Sequence, residues 1–277
     1  MGQATFREAL LFWSLGLGLL AVALLQSAPW WTRRRRARIG AKPFPESWQR
    51  ILAERVPVVA RLPAALQTRL MRHILVFIAE KPFIGCQGQA ITDEVRITIA
   101  AHACLLLLGV ERPDCYPRLR QILVYPEAFV VNREIQTGSG AVQDQRRALA
   151  GESWSHGLVI LSWADVADGA SNADDGRNVA IHEFAHQIDQ DTGSADGRPW
   201  RPTPEATQRW SSVMEAGLER LRDEPSALID AYAATDLAEF FAVVSEVFFE
   251  QPGALHAEAP AVYRELAGLY GVDPASW

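Results

Sequence analysis

The chain has 277 residues, 49% of them hydrophobic and 22% charged, a globular balance with ample apolar side chains for a core and no repeat of solenoid period. Its formal charge of −6 is unevenly spread: residues 1–42 carry seven Lys/Arg against Glu8 alone, which leaves 20 basic and 32 acidic residues beyond them. An acidic body of this kind argues against nucleic acid as a partner. Cys86, Cys104 and Cys115 contain no CxxC pair, so they form no disulfide framework and suit a reducing compartment.

The first element is "ALLFWSLGLGLLAVALLQSA" at 9–28, twenty residues without a charge. As a helix it would rise about 30 Å, the depth of a bilayer's hydrocarbon core. Trp30 and Trp31 follow where an aromatic belt belongs, and "RRRRAR" comes next. The expectation is a single transmembrane anchor over 9–31 and a basic juxtamembrane linker over 32–43. The basic run stays on the cytoplasmic side and meets anionic lipid, so the body faces the cytoplasm from the inner membrane. A cleaved export signal also has an apolar core ending in small residues, but here the basic block lies on the wrong side of it.

From residue 44 to 277 the pattern predicts one α+β domain. "PESWQRILAERV" and "LPAALQTRLMRHILVFIAEK" read as helices, the second with Leu66, Leu70, Ile74 and Ile78 at helical spacing. "TDEVRITIAAHACLLLLGV" begins with a threonine or aspartate cap and runs apolar to a glycine, a buried helix. His73 and His102 inside these helices read as structural or surface histidines, and Cys104 as a small core residue. "RLRQILVYPEAFVV", broken by Pro126, and "HGLVILSWADV" are strand candidates, with a polar loop or hairpin between them. Helices are expected again near 177–191, 204–222, 236–250 and 259–270.

The chemistry centres on "NVAIHEFAHQIDQ" at 178–190. Residues four apart on a helix share a face, so His182 and His186 can offer two imidazoles to one cation, with Glu183 beside them to take a proton from water. Zinc requires a third protein ligand and an open position. The extended pattern with glycine and a third histidine is absent, because Asp189 and Thr192 occupy those places. Asp189 suits a supporting role to a ligating histidine, or a plain place on the helix face, better than direct ligation. "AYAATDLAEFFAVVSEVFFEQPG" offers Glu239 and Glu246, seven apart on one face and about 10.5 Å apart along the axis, so one ion cannot use both. Asp236 and Glu239 also fit a helix capping box, and the pattern alone does not choose between the two roles.

"HEFAHQID" together with "YAATDLAEFFAVVSEVFF" resembles the Mlc titration factor A (MtfA) family of zinc-dependent peptidases. "GCQGQAITDEVRITIAAHACLLLLG", "ILVYPEAFVV" and "GLVILSW" are similar to it in the same order, so the resemblance covers nearly all of 44–277. The family's catalytic core in turn resembles the metalloprotease domain of anthrax lethal factor. The resemblance implies a zincin-like fold and one zinc per chain, held by His182, His186 and Glu239. It further implies Glu183 as general base for a metal-activated water and Tyr232 as donor to the developing oxyanion, leaving Glu246 supporting or structural. The implied substrate is a peptide or protein, with aminopeptidase and endopeptidase action both open. A second implication is regulatory: the family's namesake sequesters a transcriptional repressor, and such binding, with weak or no peptidase activity, is the alternative. Some relatives place a histidine within the loop matched here by "AVQDQRR", where this chain has Gln143, a departure that puts an extra metal ligand in doubt. His156 is left between a structural role and the cleft wall. By analogy of fold, the strand in "HGLVILSW" is expected to pair with an extended substrate.

Overall fold

The computed structural model describes residues 13, 29–110, 114–136, 142–149, 151–154 and 157–277. The chain divides into two compact units, Met1–Pro43 and Phe44–Trp277. In the first, residues 29–40, which include the arginine run, are helical and largely exposed. The expected membrane anchor over 9–31, apart from Trp13 and residues 29–31, lies outside the described residues. Among the described residues no helix is long and apolar enough to cross a membrane.

The second unit begins with α1 (Glu46–Arg55), a 3-10 turn at Pro57–Arg61 and α2 (Ala64–Glu80). The buried face of α2 carries Leu70, His73, Ile74 and Phe77. A short strand, β1 (Phe83–Gly85), precedes α3 (Asp93–Leu105). Thr92 caps α3, its hydroxyl accepting from Val95 N at 3.3 Å. From Val95 to Leu105 nearly every side chain of α3 is buried, Cys104 among them, so the helix runs through the core. His102 is also buried, and its Nδ1–H donates to the Thr98 carbonyl at 2.8 Å, the arrangement of a structural histidine.

β2 (Gln121–Tyr125) stops before Pro126. β3 (Phe129–Gln136) and β4 (Val142–Leu149) then pair antiparallel from Phe129↔Leu149 to Gln136↔Val142, so the polar stretch is a hairpin. Gln143 stands on β4 opposite Ile135. β5 (Gly151–Trp154) and β6 (Leu158–Ser162) follow, with His156 outside the described residues. The main sheet has the order β1-β2-β6-β5, parallel except for the antiparallel β5 at its edge. Strand β6 is therefore interior, paired with β2 on one side and β5 on the other. This corrects the expectation that β6 accepts a substrate strand, because its backbone donors and acceptors already serve two neighbours. The strand is also shorter than its apolar run. Ser162 caps α4 (Trp163–Ser171) by accepting from Asp165 N at 3.3 Å, so Trp163–Val166 are helical.

Beyond it come α5 (Val179–Asp189), α6 (Pro204–Asp223), a 3-10 turn at Ala231–Ala234, α7 (Leu237–Glu250), α8 (Pro252–Glu258) and α9 (Pro260–Tyr270). The core beneath α5 is aromatic: the fully buried Phe184 packs with its ring centroid 5.0 Å from Tyr116 and 5.7 Å from Phe77. The α+β architecture is thus mostly helical, with a small sheet against which the helix bearing the HExxH pattern is laid.

Candidate active site

Two helices build the site. Helix α5 begins where Asn178 adopts extended backbone angles and its Oδ1 accepts from Ile181 N at 3.1 Å, so His182 falls in the first full turn. Ala180, Ile181, Phe184 and Ala185 seat it in the core, which turns His182 and His186 to the other face. Helix α7 is buried along most of its circumference by Phe240, Phe241, Val243, Val244, Val247, Phe248 and Phe249. A helix with so little solvent around it has few places for charge. Its three carboxylates, Glu239, Glu246 and Glu250, stand seven and four residues apart on one stripe, and that stripe faces α5.

At the N-terminal end of the stripe Glu239 Oε2 lies 3.1 Å from His182 Nε2 and 3.5 Å from His186 Nε2, while the two Nε2 atoms are 3.2 Å apart. These three side chains form a donor cluster able to hold a metal ion. Two imidazole nitrogens facing each other at that distance need a proton or a cation between them. Donors bound to one tetrahedral zinc at about 2.0–2.1 Å would lie about 3.3 Å from one another, and the observed separations bracket that value. The cluster therefore fits a zinc ion.

Glu239 belongs both to the cap of α7 and to the donor cluster. Its backbone N–H donates to Asp236 Oδ1 at 2.9 Å, so Asp236 caps α7, but its carboxylate turns to the histidines. Glu246 occupies the far side of the His182 ring, its Oε1 2.8 Å from Nδ1. With Nδ1–H donating to that carboxylate, Nε2 presents its lone pair to the cluster. Among the described residues no side chain bonds the buried Nδ1 of His186, which is held by its helix and by packing. Burial opposes a charge on His182, but the Glu239 and Glu246 carboxylates outweigh it and hold the imidazole pKa well above its ordinary value. Burial likewise pushes Glu239 up, and the two histidines overcome this and hold it well below the usual carboxylate range. The site favours a positive charge at its centre.

Glu183 is buried on α5 beside His182, and its charge adds to the field on that imidazole. The Tyr232 ring, on the 3-10 turn, is centred 6.1 Å from that of His182. Asp189 lies outside the cluster. Fully buried, it accepts from Gly197 N at 2.7 Å and so fastens the loop beyond α5. Gly197, at φ +75°, passes so close to α7 that an added Cβ would sit 2.4 Å from the Leu237 carbonyl, hence glycine there.

The structure therefore brings His182, Glu183, His186, Tyr232 and Glu239 together, and it adds Asn178, Glu246 and Glu250 behind them. Sequence reasoning missed Asn178 and Glu250. The signal available was the presence of carboxylates at 246 and 250 in an otherwise apolar helix, since charge in such a helix needs a partner.

A family model for glucose-regulated metallo-peptidases, the M90 peptidases, matches residues 30–271. The chain belongs to that family. An uncharacterized protein of Synechocystis sp. is 38% identical over 258 residues, covering 91% of this chain and 94% of its own length. Mlc titration factor A of Klebsiella pneumoniae subsp. pneumoniae is 35% identical over 236 residues, covering 82% of this chain and 86% of its own. The factor of the same name from Enterobacter sp. is 36% identical with the same coverage.

Proposed function

We propose that this metallopeptidase hydrolyses peptide bonds with a single zinc ion held by His182, His186 and Glu239. The observation that carries the reading is the convergence of His182 Nε2, His186 Nε2 and Glu239 Oε2 within 3.1–3.5 Å. When bound, zinc supplies a Lewis acid and lowers the pKa of water toward about 7. Glu183 takes the proton of the attacking water and delivers it to the leaving amine. The Tyr232 phenol donates to the carbonyl oxygen as negative charge develops on it. Glu246 keeps His182 in the tautomer that offers Nε2. An extended substrate pairs along the outer side of β5, the sheet edge next to interior β6.

A second reading is favoured by the name of the titration-factor relatives: the chain sequesters a transcriptional repressor, with little or no hydrolysis. Glu183→Gln separates the two. Zinc retained with loss of both cleavage and cellular effect supports the peptidase, and an unaltered cellular effect supports the binder. The direct test is cleavage of a peptide library by the purified chain with and without a chelator; no chelator-sensitive product would sink the peptidase reading.

For location, the uncharged run at 9–28 followed by the arginine run supports a single-pass anchor in the inner membrane, with the peptidase domain, 44–277, on the cytoplasmic side. Release of the domain into the soluble fraction on deletion of residues 1–42 is the expected outcome. Mature protein that already lacks those residues would refute the anchor.

A further inference from the structure

Helix α7 bonds the start of α5 at several points beyond the donor cluster. Glu246 Oε2 accepts from Asn178 N at 2.5 Å. Glu250 Oε1 accepts from Asn178 Nδ2 at 3.0 Å, and its Oε2 accepts from Arg177 N at 3.0 Å. Asn178 Oδ1 accepts from Ile181 N, closing the cap of α5. A continuous path of hydrogen bonds thus leads from Glu250 through Asn178 and Glu246 to His182 Nδ1.

Such an arrangement is costly by itself. Glu246 and Glu250 are one helical turn apart, where like charges repel, and both are buried. All four carboxylate oxygens are nevertheless filled by donors from 177–182. The Asn178 amide can serve its partners in one orientation only, with its carbonyl to Ile181 N–H and its NH₂ to Glu250. Glu250, with the Gly169 carbonyl 3.4 Å from the same Nδ2, thereby fixes how Asn178 sits, and Asn178 decides where the first turn of α5 begins.

We propose that Glu250 is a positioning residue of the metal centre, acting through Asn178 and Glu246 to hold His182 with Nε2 toward Glu239 and His186. The inference rests on the zinc reading above. It predicts that the complementarity of the Asn178–Glu250 pair, and not the mere presence of bulk at 250, governs metal affinity.

The test is zinc affinity of the full chain by competition with a chromogenic chelator, alongside thermal melts of the metal-free forms. Glu250→Gln sets a carboxamide NH₂ against one of two N–H donors, and Asn178→Asp sets a carboxylate against Glu250. Each single change is expected to weaken zinc binding about tenfold or more. The double variant Asn178→Asp with Glu250→Gln restores a donor opposite an acceptor and should recover affinity to within about threefold of the parent. A merely structural role for Glu250 would lower the melting temperature of Glu250→Gln and leave its zinc affinity within about twofold of the parent, which overturns the proposal. If Glu250→Gln does not fold, Asn178→Asp is compared with the double variant, and equal affinities overturn it. A parent chain that binds no zinc sinks the metal reading and this inference together, whereas a zinc-binding parent with indifferent variants sinks the inference alone.

Discussion

Glu239 and Glu246 grip the imidazole of His182 from opposite sides, Oε2 of the first 3.1 Å from Nε2 and Oε1 of the second 2.8 Å from Nδ1. Two carboxylates of one helix thus divide between them the two nitrogens of one ring. The seven-residue spacing that forbids both from binding one ion is the spacing that lets them straddle one imidazole.

Their removal should therefore have different consequences. Glu239→Ala takes away a donor and should leave the purified chain without stoichiometric zinc by elemental analysis. Glu246→Ala leaves all three donors but frees the His182 ring and strips Asn178 N of its acceptor. Its zinc affinity should fall about 10–100-fold without vanishing. Only position relative to α5 shows what Glu246 holds. Full zinc retention in Glu239→Ala would mean that the wrong carboxylate was chosen.

Tyr232 should act on rate and spare affinity. A phenol that donates to a developing oxyanion is used mainly in the transition state, so Tyr232→Phe should lower kcat by about 10²–10³ with KM little changed. The ring remains in that variant, and so does its place beside His182. A rate within about twofold of the parent, with zinc content unchanged, would return Tyr232 to the scaffold.

The core beneath the site is expected to be sensitive to truncation. Phe184 is fully buried between Phe77 and Tyr116 on the underside of α5. Phe184→Ala should cost about 3–5 kcal/mol in denaturant unfolding, from lost burial and the cavity left behind. A loss below about 1 kcal/mol would mean that the surrounding rings collapse into the space.

His102 gives a pH dependence separate from the metal. Burial lowers its pKa from 6.5 to about 4, against the smaller opposing effect of the Thr98 carbonyl. The unfolded chain therefore binds a proton in a range where the folded chain does not. Stability is undiminished above about 6.5 and is lost as pH falls from there to about 4, by up to about 3 kcal/mol. In urea titrations of the metal-free chain, His102→Gln should show a flatter decline across that window than the parent. Parallel curves would show that His102 titrates alike in both states.

Much of the active helix is legible from residues 178–190 by themselves. Helical periodicity puts His182 and His186 on one face and Glu183 beside them. These are local relationships, determined by a rise and a turn angle that do not depend on the rest of the fold. The helical front of the domain and the interruption at Pro126 are readable for the same reason.

The residue pattern by itself leaves Asp189, Glu239 and Glu246 open, because which carboxylate meets the histidines depends on how α7 lies across α5. Packing of the apolar surround of α7 sets that angle and offset, bringing Glu239 to the Nε2 side and Glu246 to the Nδ1 side, while Asp189 is drawn off to Gly197. The short strands Phe83–Gly85 and Gly151–Trp154 carry too few residues for a period to show, and their existence depends on neighbours distant in the chain. The interior place of Leu158–Ser162 follows from those same pairings. Sequence determined which side chains could do the chemistry; long-range packing determined which of them meet.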